Sequence, residues 1–557
     1  MRCLDTNIAI KADAVSVMRT EDTTANPAEE PKRATLRDVA EAAGVSVATA
    51  SNALTGKGRV SEGQRQRILA IARRLNYRPD VAAQSLVFRR TSVIGKEPGG
   101  GGRKVRKRVP GRGRLQFGDI DTLAAFVAAE LAQRREEGCN VAEAAARLEK
   151  AMAGRPAKNE LEAIYASLLR LEVSPDFPYR EPSDLAEIRT ERPAGPRRID
   201  LWLSTDELMD RVYGAWLGRC AGCLLGKPLE TGWPREKIRR YLQMANSYPL
   251  RSYVPDVIPQ PDGFELHPDA PTALLGHIDG MPPDDDIAYT LIALHVLEQH
   301  GLGFSTENIA SEWLNHLPYF TTWTAERAAY RNLTEGIQPP DTATCHNPYR
   351  ELIGAQIRAD MWGYICPGRP EMAAELAFRD ARLSHVKNGI YGEMWVAAML
   401  AATFASRDVG EIIQIGLSEI PRRCRLAEAI TRVMEWCDRT DDWETVADRI
   451  WNTYGHYNGV HVINNAAVVT LALLQSGGDF ERGITIAVMS GLDTDCNGAT
   501  VGSILGLLVG ARALPQKWIA PLDDRFESWV AGLSHGRISD LARRTVAISR
   551  RVLEGTC

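Results

Sequence analysis

The chain has 557 residues, a hydrophobic fraction of 44% and a formal net charge of −4, so it is too long for one ordinary core and apolar enough to fill a large one. It contains no run of the roughly 18 apolar residues that a membrane span needs, and its start, MRCLDTNIAIKADAVSV, is interrupted by Asp5, Lys11 and Asp13; neither a spanning helix, a signal region nor a membrane partner is expected, and the expected location is cytoplasmic. The small net charge hides an asymmetry. Residues 32–114 carry +15, residues 1–31 carry −3 and the remainder carries −16, a basic front on an acidic body, which points to a polyanion partner for the front. Ten scattered cysteines in so large a chain read as reduced thiols, and Cys220 with Cys223, the CxxC pair, reads as core instead of zinc because no second pair follows.

Residues 1–33 show no periodicity and are expected to form a disordered leader. Order is expected to begin in TLRDVAEAAGVSVATASNALTGKGRVSEGQRQRILAIARRLNYRP, where Thr35 caps a first helix, Gly44 breaks it, Ser46 caps a second, and Ser61 with Gln64 opens a third. Two short helices about a glycine turn, with a supporting helix, make a helix-turn-helix layout. Residues 34–95 resemble the DNA-binding headpiece of the LacI family: TLRDVAEAAGVSVATASNAL matches its first two helices, NYRPDVAAQSL its third-helix exit and hinge, and RRTSVIG the junction to its sugar-binding core. The resemblance implies double-stranded DNA as partner, with Val47, Ala48 and Asn52 where base edges are read, Thr49 and Ser51 on phosphates, and Leu86 inserted in the minor groove. Val47 and Ala48 carry no hydrogen-bonding side-chain group, so direct readout rests on Asn52. The repressor core is missing after Gly95, and with it the family's dimer; binding a palindrome would need another homodimer contact.

Residues 96–118 form a basic Gly/Arg linker, with six glycines and eight basic residues between Lys96 and Arg114. Its position after a motif broken off at Gly95 fits either a fusion of two proteins or a reading-frame accident. Residues 119–199 read as a helical, Pro-rich connector, and residues 200–550 as a body dominated by helical periodicity.

Two segments of the body repeat glycine at every fourth position: Gly214, Gly218, Gly222 and Gly226, then Gly498, Gly502, Gly506 and Gly510. Each helical glycine costs about 1 kcal/mol relative to alanine, so close helix–helix approach is the expected compensation. Asp284, Asp285 and Asp286 stand before an apolar run, and Asp493 and Asp495 stand in LDTDCNGA before another. Buried carboxylates side by side repel by about 4 kcal/mol per pair at 4 Å and an effective dielectric of 20. Either they are exposed helix caps, or they hold a hard cation such as Mg²⁺ or Mn²⁺.

Residues from about 208 to 520 resemble the ADP-ribosylglycohydrolase family: GAWLGRCAGCLLGKPLE matches its glycine-rich opening helix and following acid, DDDIAYTLIAL its first metal motif, and GLDTDCNGA its second. The resemblance implies an all-α fold, a helix-turn-helix headpiece being all-α as well, and two Mg²⁺ ions (or Mn²⁺) held by Asp284, Asp285, Asp286, Asp493 and Asp495. It implies catalytic duty for Glu230, Asp285 and Asp495, and substrate contacts for Ser384, His385 and Asn388 in RDARLSHVKNGIYGEMWVAAMLAA, while Asn464 and Asn465 either face the cleft or cap a helix. Asp284 replaces a usual threonine, and Cys496 stands where a hydroxyl is usual, a poor magnesium ligand.

The expected function is metal-dependent hydrolysis of a glycosidic bond in an ADP-ribosylated protein or a small-molecule ADP-ribose conjugate, by a protein that is nucleoid-associated when DNA-bound. The alternative is a transcription regulator whose glycohydrolase-like domain only senses a nucleotide or ribosyl ligand.

Overall fold

The structure is a computed structural model that describes residues 36–46, 49, 61–74, 120–230, 232–257, 260 and 262–555. It divides into two compact units, residues 1–106 and 107–557.

In the first unit, α1 (Leu36–Ala43) and α2 (Glu62–Arg74) bury Ala40, Ala43, Ile68 and Ala72. Gly44, at φ +64°, ends α1 in the left-handed region, as its lack of a Cβ allows. Ser46 Oγ accepts from Thr49 N at 3.1 Å, the cap expected for the next helix. Val47, Ala48, Ser51, Asn52, Leu86 and the basic linker lie outside the described residues.

Among its described residues the second unit is built of helices and their connections, with an antiparallel pair of short strands, β1 (Arg525–Glu527) and β2 (His535–Arg537), in which Phe526 lies opposite Gly536. Near its start, α3 (Ile120–Glu136), α4 (Ala142–Met152) and α5 (Lys158–Leu168) enclose a small apolar cluster of their own around Val127, Leu161 and Ile164. These helices are also fixed to the body by buried charge. The Arg350 guanidinium forks onto Glu130 (3.0 and 3.1 Å) and onto Glu137 (3.0 and 3.0 Å), and Gln133 donates to Glu351 at 2.8 Å.

The larger core gathers around α9 (Asn388–Thr403), in which every residue is buried. Before it in sequence come α6 (Thr205–Gly226), α7 (Asp285–His300) and α8 (Thr306–His316). After it come α10 (Val462–Ser476), α11 (Phe480–Met489), α12 (Thr494–Val509) and α13 (Ile538–Glu554).

The two glycine ridges face one another. A methyl group on Gly214, Gly218 or Gly222 would overlap the carbonyl of Gly506, Gly502 or Gly498 respectively, and the reverse substitutions meet the same partners. α6 and α12 therefore run antiparallel with their backbones in contact, an arrangement in which Cα–H groups face carbonyl oxygens. The approach continues to Gly226, where a methyl would overlap the Thr494 carbonyl, and Thr494 Oγ1 donates to the Gly226 carbonyl at 2.8 Å. The seam thus holds the C-terminal end of α6 against the N-terminal end of α12. Among the described residues, no helix is long and apolar enough to cross a membrane.

Candidate metal centre

Two helix starts and one helix end meet where the glycine seam closes. Asp284 is the N-cap of α7: its Oδ1 accepts from Asp286 N at 2.9 Å, leaving Oδ2 to face inward. Asp493 occupies the corresponding position on α12 but makes no capping bond with its side chain. The turn before it is tight, with Gly491 at φ +78° and Leu492 at +65°. Asn465 holds that turn, since its Oδ1 accepts from Asp493 N at 3.1 Å and from Asn497 Nδ2 at 2.8 Å. Both asparagines of the VINN segment use their amides on loop carbonyls, Asn464 on Asn458 and Asn465 on Gly459.

Ligand atoms from Asp284, Asp286, Asp495 and Cys223 all lie within 4.8 Å of one another, as do those of Asp493, Asp495 and Cys496. Asp284, Asp286, Asp493 and Asp495 are 4% exposed or less, whereas Asp285 and Glu230 keep partial exposure. Two basic groups enter this acidic centre. The Lys227 ammonium is 2.6 Å from Asp284 Oδ2, 2.6 Å from Asp495 Oδ2 and 3.0 Å from Glu230 Oε2. Arg219 is fully buried; it donates to the Asp286 carbonyl at 2.6 Å, to Asp360 at 2.8 Å and to the Ile357 carbonyl at 2.6 Å, and stands 3.3 Å from Asp286 Oδ1.

The balance of charge remains negative. Burial, then the neighbouring Asp495 carboxylate, push the Asp286 carboxyl well above the usual range, and Asp286 Oδ2 is buried with no hydrogen-bond partner. Burial would lower the Lys227 ammonium, but Asp284 and Asp495 outweigh it and hold the group charged. The Cys223 and Cys496 thiols are pushed up by burial and by the carboxylates around them, so both stay protonated. A set of buried carboxylate oxygens, one of them unpartnered, fits a hard divalent cation, and the neutral thiols add little to such a site.

The structure therefore brings Asp284, Asp286, Asp493 and Asp495 together, with Glu230 joined to them through Lys227 and Asp285 on the first turn of α7. Ser384, His385 and Asn388 are fully buried. Ser384 Oγ accepts from Arg358 at 3.1 Å and bonds His385 Nδ1 at 2.8 Å, while Asn388 donates to Glu351 at 2.7 Å and to Glu181 at 2.8 Å and accepts from Leu426 N. Thr49 bonds Ser46.

Lys227 and Arg219 were not singled out from the sequence, and Cys223 was not assigned to this centre. GKPLE offered the lysine only as the neighbour of an acid, and Cys223, paired with Cys220, read as core, which it also is.

The family model described as ADP-ribosylglycohydrolase matches residues 204–552, more than half of the chain, and the model for bacterial regulatory proteins of the lacI family matches residues 35–80. The sucrose operon repressor of Klebsiella pneumoniae is 51% identical over 67 residues, covering 12% of this chain and 20% of that protein. The ribose operon repressor of Bacillus subtilis (strain 168) is 50% identical over 62 residues, covering 11% and 19%. The chain thus spans about a fifth of the length of the curated relatives it matches. A solved structure titled ADP-ribosylglycohydrolase-related protein complex aligns with a TM-score of 0.41 at 20% identity, over 62% of this chain and 99% of that one. With a lacI-type segment at its front and a helical body covered from residue 204 to residue 552, the chain belongs to the ADP-ribosylglycohydrolase family.

Proposed function

We propose that the body is a divalent-metal-dependent hydrolase of a glycosidic bond in an ADP-ribose-like substrate, brought to double-stranded DNA by the headpiece. The observation that carries this reading is the excess of buried carboxylate at the seam's end, with Asp286 Oδ2 unpartnered and one lysine and one arginine set against Asp284, Asp286, Asp493 and Asp495. Asp284, Asp285, Asp286, Asp493 and Asp495 would hold two Mg²⁺ or Mn²⁺ ions, which when bound supply Lewis-acid polarisation and orient the ribose hydroxyls.

The chain's own residues do the rest. Arg219 fixes the first turn of α7 through its bonds to the Asp286 carbonyl, so the aspartates cannot swing out with the helix end. Asp285 and Glu230, the carboxylates that keep contact with solvent, would accept the proton of a water attacking the anomeric carbon, a role that their partial exposure supports. That proton ends on the departing group as the glycosidic bond breaks. Ser384, His385 and Asn388, all buried, serve in this reading to hold Arg358 and Glu351 in place. The test is release of ADP-ribose from modified arginine, modified serine and small-molecule conjugates, with and without chelator. Activity that survives chelation, or none on any of these substrates, would sink the proposal; Asp285→Ala combined with Asp495→Ala should abolish turnover while leaving the helical signal intact.

One observation favours a second reading, in which the domain senses a nucleotide or ribosyl ligand for a DNA-bound regulator: an ammonium sits among the acids, and two neutral thiols face them. Here the ligand would change operator affinity and be recovered intact.

A further inference from the structure

At the end of α7 remote from the aspartates, a second group of ligating side chains converges. His295 and His300 come from the last turns of α7, and Glu312 and His316, one helical turn apart, from the end of α8. Glu312 Oε2 lies 3.2 Å from His295 Nε2 and 3.2 Å from His316 Nε2, while Glu312 Oε1 lies 2.9 Å from His300 Nε2. The His295 and His316 rings are 4.4 Å apart between centroids. Glu298, on the same helix, is turned to Arg544 at 2.7 and 2.8 Å and takes no part.

An independent contact fixes the direction of one ring. His316 Nδ1 donates to the Ala531 carbonyl at 2.9 Å, and Ala531 N donates back to the His316 carbonyl at 2.8 Å. In the neutral imidazole the lone pair is then on Nε2, pointing at a carboxylate oxygen, so two acceptors face each other across 3.2 Å and need a cation between them. A proton on His316 Nε2 satisfies that one pair, with neutral His295 and His300 rings donating to the same carboxylate; a metal would engage three donors at once, since ligand atoms of His295, Glu312 and His316 all lie within 4.8 Å of one another.

The spacing suits a metal better. Donor atoms around a tetrahedral zinc with bonds of about 2.0–2.1 Å lie roughly 3.3 Å apart, close to both observed separations. A ring whose other nitrogen donates to a backbone carbonyl is the usual support for a histidine ligand. The C-terminal ends of α7 and α8, which carry the negative ends of their dipoles, both lie at the cluster. The side chains are 18% (His295), 11% (Glu312) and 29% (His316) exposed, so an ion can enter from solvent.

We propose that His295, Glu312 and His316 form a binding site for a borderline divalent metal of the zinc class, with His300 holding the second oxygen of Glu312 and water completing the coordination. The site is distinct from the acidic centre: Asp285 lies ten residues before His295, about 15 Å along the helix. The ion would clip α7 to α8 and, through Ala531, to the loop between β1 and β2.

The test uses the full chain, free of any affinity tag and stripped with chelator. Zn²⁺ is titrated against a chromophoric competitor in the presence of millimolar Mg²⁺, and Co²⁺ is added in parallel as a spectroscopic probe. The expected result is one tightly held Zn²⁺ that Mg²⁺ does not displace, a Co²⁺ adduct with tetrahedral visible bands and no thiolate charge-transfer band, and a melting temperature raised by Zn²⁺. His295→Ala with His316→Ala should lose this equivalent, with at least a hundredfold loss of affinity. Glu312→Gln, which keeps the volume should the double variant fail to fold, should weaken binding and abolish the Zn²⁺-induced rise in melting temperature. No Zn²⁺ bound to the wild type, a thiolate band in the Co²⁺ adduct, or affinity unchanged in Glu312→Gln would each overturn the proposal.

Discussion

Lys227 sits 2.6 Å from carboxylate oxygens of both acidic motifs, the same oxygens that would hold the proposed cation. Removing it leaves buried carboxylates uncompensated, which costs on the order of 3–5 kcal/mol when one partner of a buried pair is lost. Lys227→Met should therefore melt lower than wild type in chelator and gain more from Mg²⁺ than wild type does, because the cation then meets no competing ammonium. Melting curves with and without Mg²⁺ measure this; equal Mg²⁺ shifts in the two proteins would mean that lysine and metal do not share the site. The aspartates were legible in the sequence because carboxylates at consecutive or alternate positions before an apolar helix are costly without a cation. Lys227 and Arg219 were not, because their roles depend on partners such as Asp495 and Asp360, far away in the chain and joined only by the fold. The histidines of α7 and α8 were silent for the same reason: His295 and His316 belong to separate helices, and the Ala531 carbonyl that orients one of them has no sequence signature.

At the scale of elements, the glycine seam and the buried guanidinium of Arg350 do different jobs. Gly218→Ala places a methyl into the Gly502 carbonyl, so α6 and α12 must separate. The variant should lose on the order of 1–3 kcal/mol of stability and bind Mg²⁺ more weakly, whereas Gly154→Ala, which meets only the edge of its own turn, should do neither. Calorimetry of both proteins with and without Mg²⁺ decides. The repeat at every fourth residue made this packing readable in advance, since glycine's helical cost demanded a compensating contact.

Residues 120–168 read differently. They read only as part of a helical, Pro-rich connector, yet Glu130 and Glu137 are buried on Arg350. Burial alone would raise the Glu137 and Glu351 carboxyls, but Arg350 in the first case and Arg425 in the second outweigh it and leave both below the ordinary range. A depressed carboxyl contributes stability that is complete above its unfolded value and is lost as pH falls through the folded value. Acid should therefore destabilise the docking of α3 to α5 progressively below about pH 4.5, and Arg350→Met should abolish it already at neutral pH. Limited proteolysis between residues 170 and 200 across a pH series reads both effects; cleavage independent of pH and of Arg350 would contradict them.

For the whole molecule, the contrast is between a front charged +15 over residues 32–114 and an acidic body. Each phosphate neutralised contributes about −0.9 to the slope of log affinity against log salt. Replacing the eight basic residues between Lys96 and Arg114 with glutamine should flatten that slope by several units on random-sequence DNA, with little effect on any preference that Asn52 confers. Binding isotherms across a salt series test this, and an unchanged slope would show that the linker does not touch DNA. Charge asymmetry and the helix-turn-helix spacing made the DNA reading legible from residues alone, while no operator sequence was, because Val47 and Ala48 carry no hydrogen-bonding side-chain group.

The backbone contact between α6 and α12 has one more consequence. A seam made of glycines has no rotamers, so it has no way to absorb a small displacement by repacking. A cation bound beside Gly226 and Thr494 would have to move the two helices together, because their backbones stay in contact as far as Gly214 and Gly506, about 18 Å away. The fold holds in this pair a stiff rod that runs from the acidic centre to the Gly214–Gly506 end of the seam.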